Sequence, residues 1–346
     1  MYFLYSRNQS FFEIEYIEKV LLSKISNLEK IPIDSFNDFD TNENIILYFS
    51  DGDQKISNEI KNFAKKFDKR YFLIHISDEI LKADYSIYKK AIYIFRGYYS
   101  PFIKNKNCFT IPIGFQSGFL QDNSYESNLK KRKLVWSFFG QFYSDRKYML
   151  NQLSVTKPNK QFKVNSFMDS NAIGVADLRK VYSDTVFAPC PFGFGNPDTF
   201  RIMEVLESGC IPIVKKFIFI DYFKFVFGNH PFLIVKNWSE APGLIDLYMN
   251  NKDMLQKKEK EIEIWYKKFK SNLSNDIYNV IQKNNLSFSS NQKFIQDRGK
   301  FNIIVLFTFF YYFSLRKRNI FIKMSKLIYI FKQKMKFIAK WNRNKT

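Results

Sequence analysis

Short, uninterrupted apolar runs alternate with longer stretches of helical spacing along most of the chain. Asn44 to Phe49 (NIILYF) is a buried strand broken by the turn Ser50-Asp51-Gly52-Asp53, and Ile56 to Phe67 then carries helical periodicity. The strand signal returns at Tyr71 to Ile76, Ala91 to Phe95 and Cys108 to Ile113. A second series opens with LVWSFFGQ and the helical SDRKYMLNQL, where Ser144 is placed to cap. It continues with a strand at Thr185 to Ala188, a helix at Asp198 to Ser208, and strands at Ile211 to Val214 and Phe232 to Val235. Strands that alternate with helices predict parallel sheets covered by helices. The helical stretch Asn250 to Gln282 suits a closing helix, and the Ser-rich Asn284 to Asn291 reads as a loop. Two α/β domains are expected, 1–125 and 126–285, with the boundary near Gln121 to Lys133 and a tail at 286–346.

Composition narrows the class. Hydrophobic residues make up 46%, with 40 Phe and 21 Tyr, which supplies a core and excludes disorder. The net charge is +21, yet 11 Lys or Arg and no acidic residue fall between Phe301 and Thr346, leaving +10 for the first 300 residues. An anionic partner or a Lys-rich coding bias each accounts for the general excess. Cys108, Cys190 and Cys210 have no metal-ligand or redox spacing. The N-terminus meets acidic residues too early for a signal peptide, so a reducing, cytoplasmic setting is expected.

Chemistry concentrates in Pro189 to Pro212, PCPFGFGNPDTFRIMEVLESGCIP. A strand, a Gly- and Pro-rich loop and a helix start in succession form an anion site, because the first amides of a helix are unpaired and lie at its positive end. Gly193 and Gly195 admit close approach of a ligand, and Asp198 or Thr199 is placed to cap the helix. Arg201 offers a fork for phosphate, and Glu204 an acceptor for two ribose hydroxyls; alternatively the two pair with each other on a solvated helix face.

This segment resembles the exostosin-like glycosyltransferases, and more closely the ribitol xylosyltransferase catalytic domain. IFRGYYS at Ile94 to Ser100, TIPIGFQSGF at Thr110 to Phe119 and FFGQFYSDRKYML at Phe138 to Leu150 extend the resemblance from about Leu73 to Trp238. It implies a GT-B architecture, two Rossmann-like domains facing across a cleft, with the nucleotide on the second. It also implies inverting transfer from a UDP-sugar with no metal and no other cofactor required. By position, Glu204 is similar to the Glu that holds the donor ribose. Arg201 and the loop Gly193 to Asn196 would meet diphosphate and sugar, although Asn196 stands where many relatives carry Glu. Arg146, after Gly140, would be a further diphosphate contact or an exposed helix charge.

An inverting transfer needs a base for the acceptor proton, and the strand end HISDE offers His75, Asp78 and Glu79. Arg96 follows another strand and is either an acceptor-phosphate contact or half of a structural ion pair.

In the tail, Phe301 to Leu315 is apolar for 15 residues before Arg316-Lys317-Arg318. That is short of the ~20 residues of a spanning helix, so an anchor lying on an anionic membrane surface is expected, with a core helix followed by a solvated helix, or a true span with its basic end in the cytoplasm, as the alternatives. The combined expectation is a cytoplasmic, membrane-peripheral glycosyltransferase acting on a surface-glycan or lipid-linked acceptor. A non-catalytic nucleotide-sugar-binding protein is one alternative. A nucleic-acid-binding protein is another, although no nucleic-acid module is present. Neither donor sugar nor acceptor is fixed by a motif.

Overall fold

The computed structural model describes residues 1–36, 43–50, 54–81, 83–103, 105–120, 132–143, 145–166, 172–218 and 220–283. The tail 301–346, the Ser-rich loop, the cap at Ser144 and the turn Asp51 to Asp53 lie outside these residues. Among the described residues, no helix is long and apolar enough to cross a membrane.

Residues up to Thr110 build one all-parallel sheet. Its strands are β1 (Tyr2–Tyr5), β2 (Glu29–Pro32), β3 (Ile45–Ser50), β4 (Tyr71–Ile76), β5 (Ala91–Arg96) and β6 (Cys108–Thr110), in the order β2-β1-β3-β4-β5-β6. Strands β3 and β4 are buried at every position, as expected for strands with helices on both faces. Helix α1 (Ile14–Tyr16) follows β1 and runs into a wider turn at Ile17–Leu21. Helix α2 (Gln54–Lys66) buries Ile56, Ile60 and Ala64 against Leu47, Phe49 and Leu73 in one apolar cluster.

A second parallel sheet starts at Leu134. It contains β7 (Leu134–Gly140), β8 (Asn159–Lys163), β9 (Thr185–Cys190), β10 (Ile211–Lys215) and β11 (Leu233–Val235), in the order β11-β10-β9-β7-β8. Its helices are α3 (Asp145–Leu153), α4 (Val175–Ser183), α5 (Phe200–Glu207), α6 (Lys224–Phe227) and α7 (Ala241–Met249). In this order the chain leaves β7 for β8 on one side and returns to β9 on the other. The strand order therefore reverses between β7 and β9. In open α/β sheets that reversal opens a crevice at the carboxyl ends of the strands, where ligands bind. The first sheet has its own reversal between β1 and β3.

Helix α8 (Lys252–Lys283) ties the two parts together. Near its start it packs on the second sheet's helices, and Glu259 forms a buried ion pair with Arg132 at 3.4 Å. Glu207 of α5 accepts from the Tyr266 hydroxyl at 2.5 Å and from Lys270 Nζ at 2.8 Å. Its far end reaches the first domain, where the Asn44 side-chain amide donates to the Ile281 carbonyl at 3.2 Å. A carboxylate removed from water and holding two donors leaves both unpaired when deleted. Glu207→Ala is expected to lower stability by about 2–3 kcal/mol and Tyr266→Phe by about 1 kcal/mol in urea unfolding. Wild-type stability in both variants would mean that apolar contact alone holds α8.

Candidate functional site

The second domain brings Gly140, Arg146, Gly193, Gly195, Asn196, Asp198, Thr199, Arg201 and Glu204 to the carboxyl ends of β7 and β9. Strand β9 ends at Cys190, the loop Pro191 to Thr199 turns over the sheet, and α5 starts at Phe200. Arg201, in the first turn of α5, points back beneath the end of β7. Its Nη2 donates to the Phe139 carbonyl, and its guanidinium lies 4.4 Å from the Phe138 ring centroid. A Cβ on Gly140, whose φ is +150°, would sit 2.8 Å from that same Nη2. Glycine is needed there so that the guanidinium can reach the strand end.

Arg146 is neither an exposed helix charge nor free for a diphosphate. It is buried, and its guanidinium donates to the Phe192 carbonyl at 3.1 Å and 3.3 Å and to the Gln141 carbonyl at 3.4 Å. It also stacks 4.5 Å from the Tyr143 ring centroid. Arg146 thus shapes the glycine loop from behind, while Arg201 is half-buried under the end of β7, between the Phe138 ring and the Phe139 carbonyl. Lys215 and Trp238, which the motif did not single out, hold the start of α3 through Asp145 at 2.7 Å and 2.9 Å.

The capping expectation needs correcting. Thr199 occupies the N-cap position of α5, but its side chain makes no capping hydrogen bond. Its Oγ1 is buried without a hydrogen-bond partner in the fold, as are both amide atoms of Asn196 and Nε of Arg201. Asp198 is 1% exposed, and burial pushes its carboxyl up to about 7, against the pull of the Ile113 and Thr199 amides. Glu204 is buried and not solvated. Burial likewise raises it to about 7, opposed by the Arg201 charge and by the Gln116 backbone amide of the first domain. Unpaired buried polar atoms are costly, and their concentration at one helix start marks a place built for a polar ligand.

Gly193 and Gly195 are glycines for a reason the motif does not reveal. A Cβ on Gly193 would lie 2.6 Å from Oε1 of Glu79, and one on Gly195 2.6 Å from the Ile80 side chain and 2.9 Å from the Glu79 carbonyl. At Gly195 the neighbours are thus the Ile80 side chain and the Glu79 backbone, and at Gly193 they are the Glu79 carboxylate and the loop's own Asn196 carbonyl at 2.8 Å. Glu79 accepts a hydrogen bond from the Gly195 amide at 2.6 Å. Tyr222 adds a second link between the domains, its hydroxyl accepting from the Tyr99 amide at 3.0 Å.

Of the three residues expected to supply a base, the structure separates Glu79 from the other two. His75 is 1% exposed, stacked 4.4 Å from Phe49, and bonded through Nδ1 to the Tyr88 hydroxyl at 2.6 Å. Burial, helped by the Arg96 charge, lowers its pKa to about 3. A ring sealed from solvent and this weakly basic is not placed to accept a proton from an acceptor. Asp78 is 2% exposed and paired with Arg96 at 2.7 Å, while also accepting from the Tyr85 hydroxyl at 2.7 Å. Burial raises its pKa, but the Arg96 charge together with the hydrogen bonds from Arg96 and Tyr85 outweighs this and leaves it lowered. Arg96 is itself 1% exposed and donates to Tyr88 at 2.9 Å, so it forms the structural ion pair and not an acceptor-phosphate contact. Glu79 is half-buried and lies at the seam.

Another buried carboxylate went unnoticed in the sequence. Glu13, just before α1, is 1% exposed and accepts from the Tyr48 hydroxyl at 2.6 Å, and burial raises its pKa. Its only sequence signal is its place after a four-residue strand too short for periodicity to reveal. Among the described residues, no group of three or more His, Cys, Asp or Glu is arranged to hold a metal ion.

Comparison with known proteins places this geometry. Residues 117–286 match the family model of the RXYLT1 C-terminal domain. Among solved structures, the chain is similar to the T4 phage DNA-modifying enzyme β-glucosyltransferase, determined with and without uridine diphosphoglucose. The identity is 14%, the TM-score 0.50, and the match covers 80% of this chain and 97% of that one. An α1,3-fucosyltransferase aligns with TM-score 0.45 and 14% identity over 80% of this chain and 91% of its own. Anabaena Alr3699/HepE, in complex with UDP and glucose, aligns with TM-score 0.45 and 10% identity over 82% and 99%. No curated protein matches the sequence. The chain therefore has the GT-B fold of two parallel-sheet α/β domains, and its residues 117–286 are a glycosyltransferase-family domain of the RXYLT1 C-terminal type.

Proposed function

We propose that the chain is an inverting glycosyltransferase whose donor is a nucleotide sugar, a UDP-sugar in the first instance, and whose acceptor is a surface glycan or a lipid-linked glycan. The observation that carries this reading is the helix start at Thr199 to Glu204. Half-buried Arg201 is held at the end of β7 with its Nε unpartnered, and the side-chain atoms of Asn196 and Thr199 just before it are buried with no hydrogen-bond partner in the fold. A diphosphate suits the arginine and the loop amides, and sugar and ribose hydroxyls suit the amide, the hydroxyl and Glu204.

In the transfer, the acceptor oxygen forms a bond to the anomeric carbon as the bond from that carbon to the diphosphate oxygen breaks. The leaving diphosphate takes the electron pair and is stabilised by Arg201 and the loop amides. The acceptor proton passes to a carboxylate, and we assign that role to Glu79, the half-buried candidate at the seam. No residue set for a divalent ion is invoked, so chelation with EDTA is expected to leave donor binding intact. The basic apolar tail would hold the enzyme on the anionic inner face of the membrane, with no nucleic acid involved.

Two measurements test the donor half. In calorimetry, Glu204→Ala and Arg201→Ala are each expected to weaken UDP binding at least tenfold, and unchanged affinity in both would refute the assignment. The second uses pH. A carboxyl whose pKa is raised by folding keeps its proton longer in the native state. It costs nothing at pH 4 and imposes its full penalty above about 7, where Glu204 has ionised in both states. Glu204→Gln should therefore match wild-type stability near pH 4 and exceed it by about 3 kcal/mol at pH 8. A difference that does not vary with pH would contradict the buried carboxyl.

A further inference from the structure

The contact between Glu79 and Gly195 has a consequence for how the donor enters, one that rests on the nucleotide-sugar reading above. The glycine loop presents an amide at Gly195, and the group it meets is already an anion. That anion belongs to the opposite domain.

Its position is not accidental packing. Ser77 and Leu81, on either side of Glu79, both have positive φ, at +71° and +56°. Between them Asp78 is fixed four ways: by Arg96 Nη2 at 2.7 Å, the Tyr85 hydroxyl at 2.7 Å, the Ala83 amide at 3.2 Å and, through its own carbonyl, the Leu81 amide at 3.1 Å. The tight turn is thereby anchored in the core of the first domain, and Glu79 projects from it. On the other side, a side chain at Gly193 or Gly195 would collide with this turn.

A diphosphate seeking the same loop amide meets a carboxylate in its place. One N–H does not serve two anions, and two like charges at such separation repel strongly once water is excluded. Donor binding therefore has to release Glu79. Because Asp78 stays locked to Arg96, the released carboxylate remains tethered at the cleft.

We propose that Glu79 is a built-in surrogate anion. In the donor-free enzyme it occupies the Gly195 amide and latches the first domain onto the glycine loop. The donor diphosphate displaces it, and displacement frees the carboxylate to accept the acceptor proton. Donor occupancy and availability of the base are thus one event, which withholds the base while no donor is bound.

Calorimetric titration of the full chain with UDP and with inorganic pyrophosphate tests this in wild type, Glu79→Ala and Glu79→Gln. Removing the competitor should tighten both ligands about tenfold in Glu79→Ala, since a hydrogen bond to a charged group no longer has to be broken. Glu79→Gln keeps an acceptor but no charge and should fall between. Transfer by both variants should drop although the donor binds better. Affinity for UDP that is equal to or weaker than wild type in both folded variants would overturn the latch and leave the donor site standing. No UDP binding by any of the three proteins would overturn the donor site and the latch with it.

Discussion

The cleft depends on a steric constraint: Glu79 and Ile80 of the first domain approach Gly193 and Gly195 of the second so closely that a Cβ on either glycine would lie 2.6 Å from one of their side chains. Because they meet, a loop amide and a carboxylate pair at 2.6 Å, and the helix start at Thr199 is turned toward the seam. Buried groups that never face a ligand hold both loops. Arg146 grips the Phe192 and Gln141 carbonyls behind the glycine loop, and Arg96 grips Asp78 behind the Glu79 turn. The two arginines play the same part on opposite sides, each using a planar fork to fix one loop.

Asp198, Glu204 and Glu13 are all buried with raised pKa values, and the Arg201 guanidinium lies close enough to Glu204 to oppose its shift. Such a site favours a ligand that brings hydroxyls for the carboxyls together with a compact anion for the arginine and the amides. A nucleotide sugar has both.

Much of the fold was legible because β3, β4, β7, β9 and β10 are buried on both faces and read as plain apolar runs. The strands that escaped notice lack that signature. Strand β8 is the edge sequence NKQFK with four of its five residues exposed, β2 is the exposed-to-half-buried EKIP, and β1 spans four residues. At the site, the spacing from Gly193 to Glu204 was readable because loop, arginine and glutamate are close in the chain. The functions of Arg146, His75, Asp78 and Arg96 were not, since each is decided by a partner or by burial that no local pattern encodes. His75 and Glu79 sit four positions apart at one strand end, yet one is sealed beneath the sheet and the other crosses to Gly195.

A crystal structure of the full chain with UDP decides whether the α5 start binds the donor diphosphate. Diphosphate oxygens are expected on the Gly195 amide and Arg201, ribose hydroxyls on Glu204, and Glu79 withdrawn from the loop. UDP bound elsewhere, with the Glu79–Gly195 hydrogen bond intact, would contradict this placement.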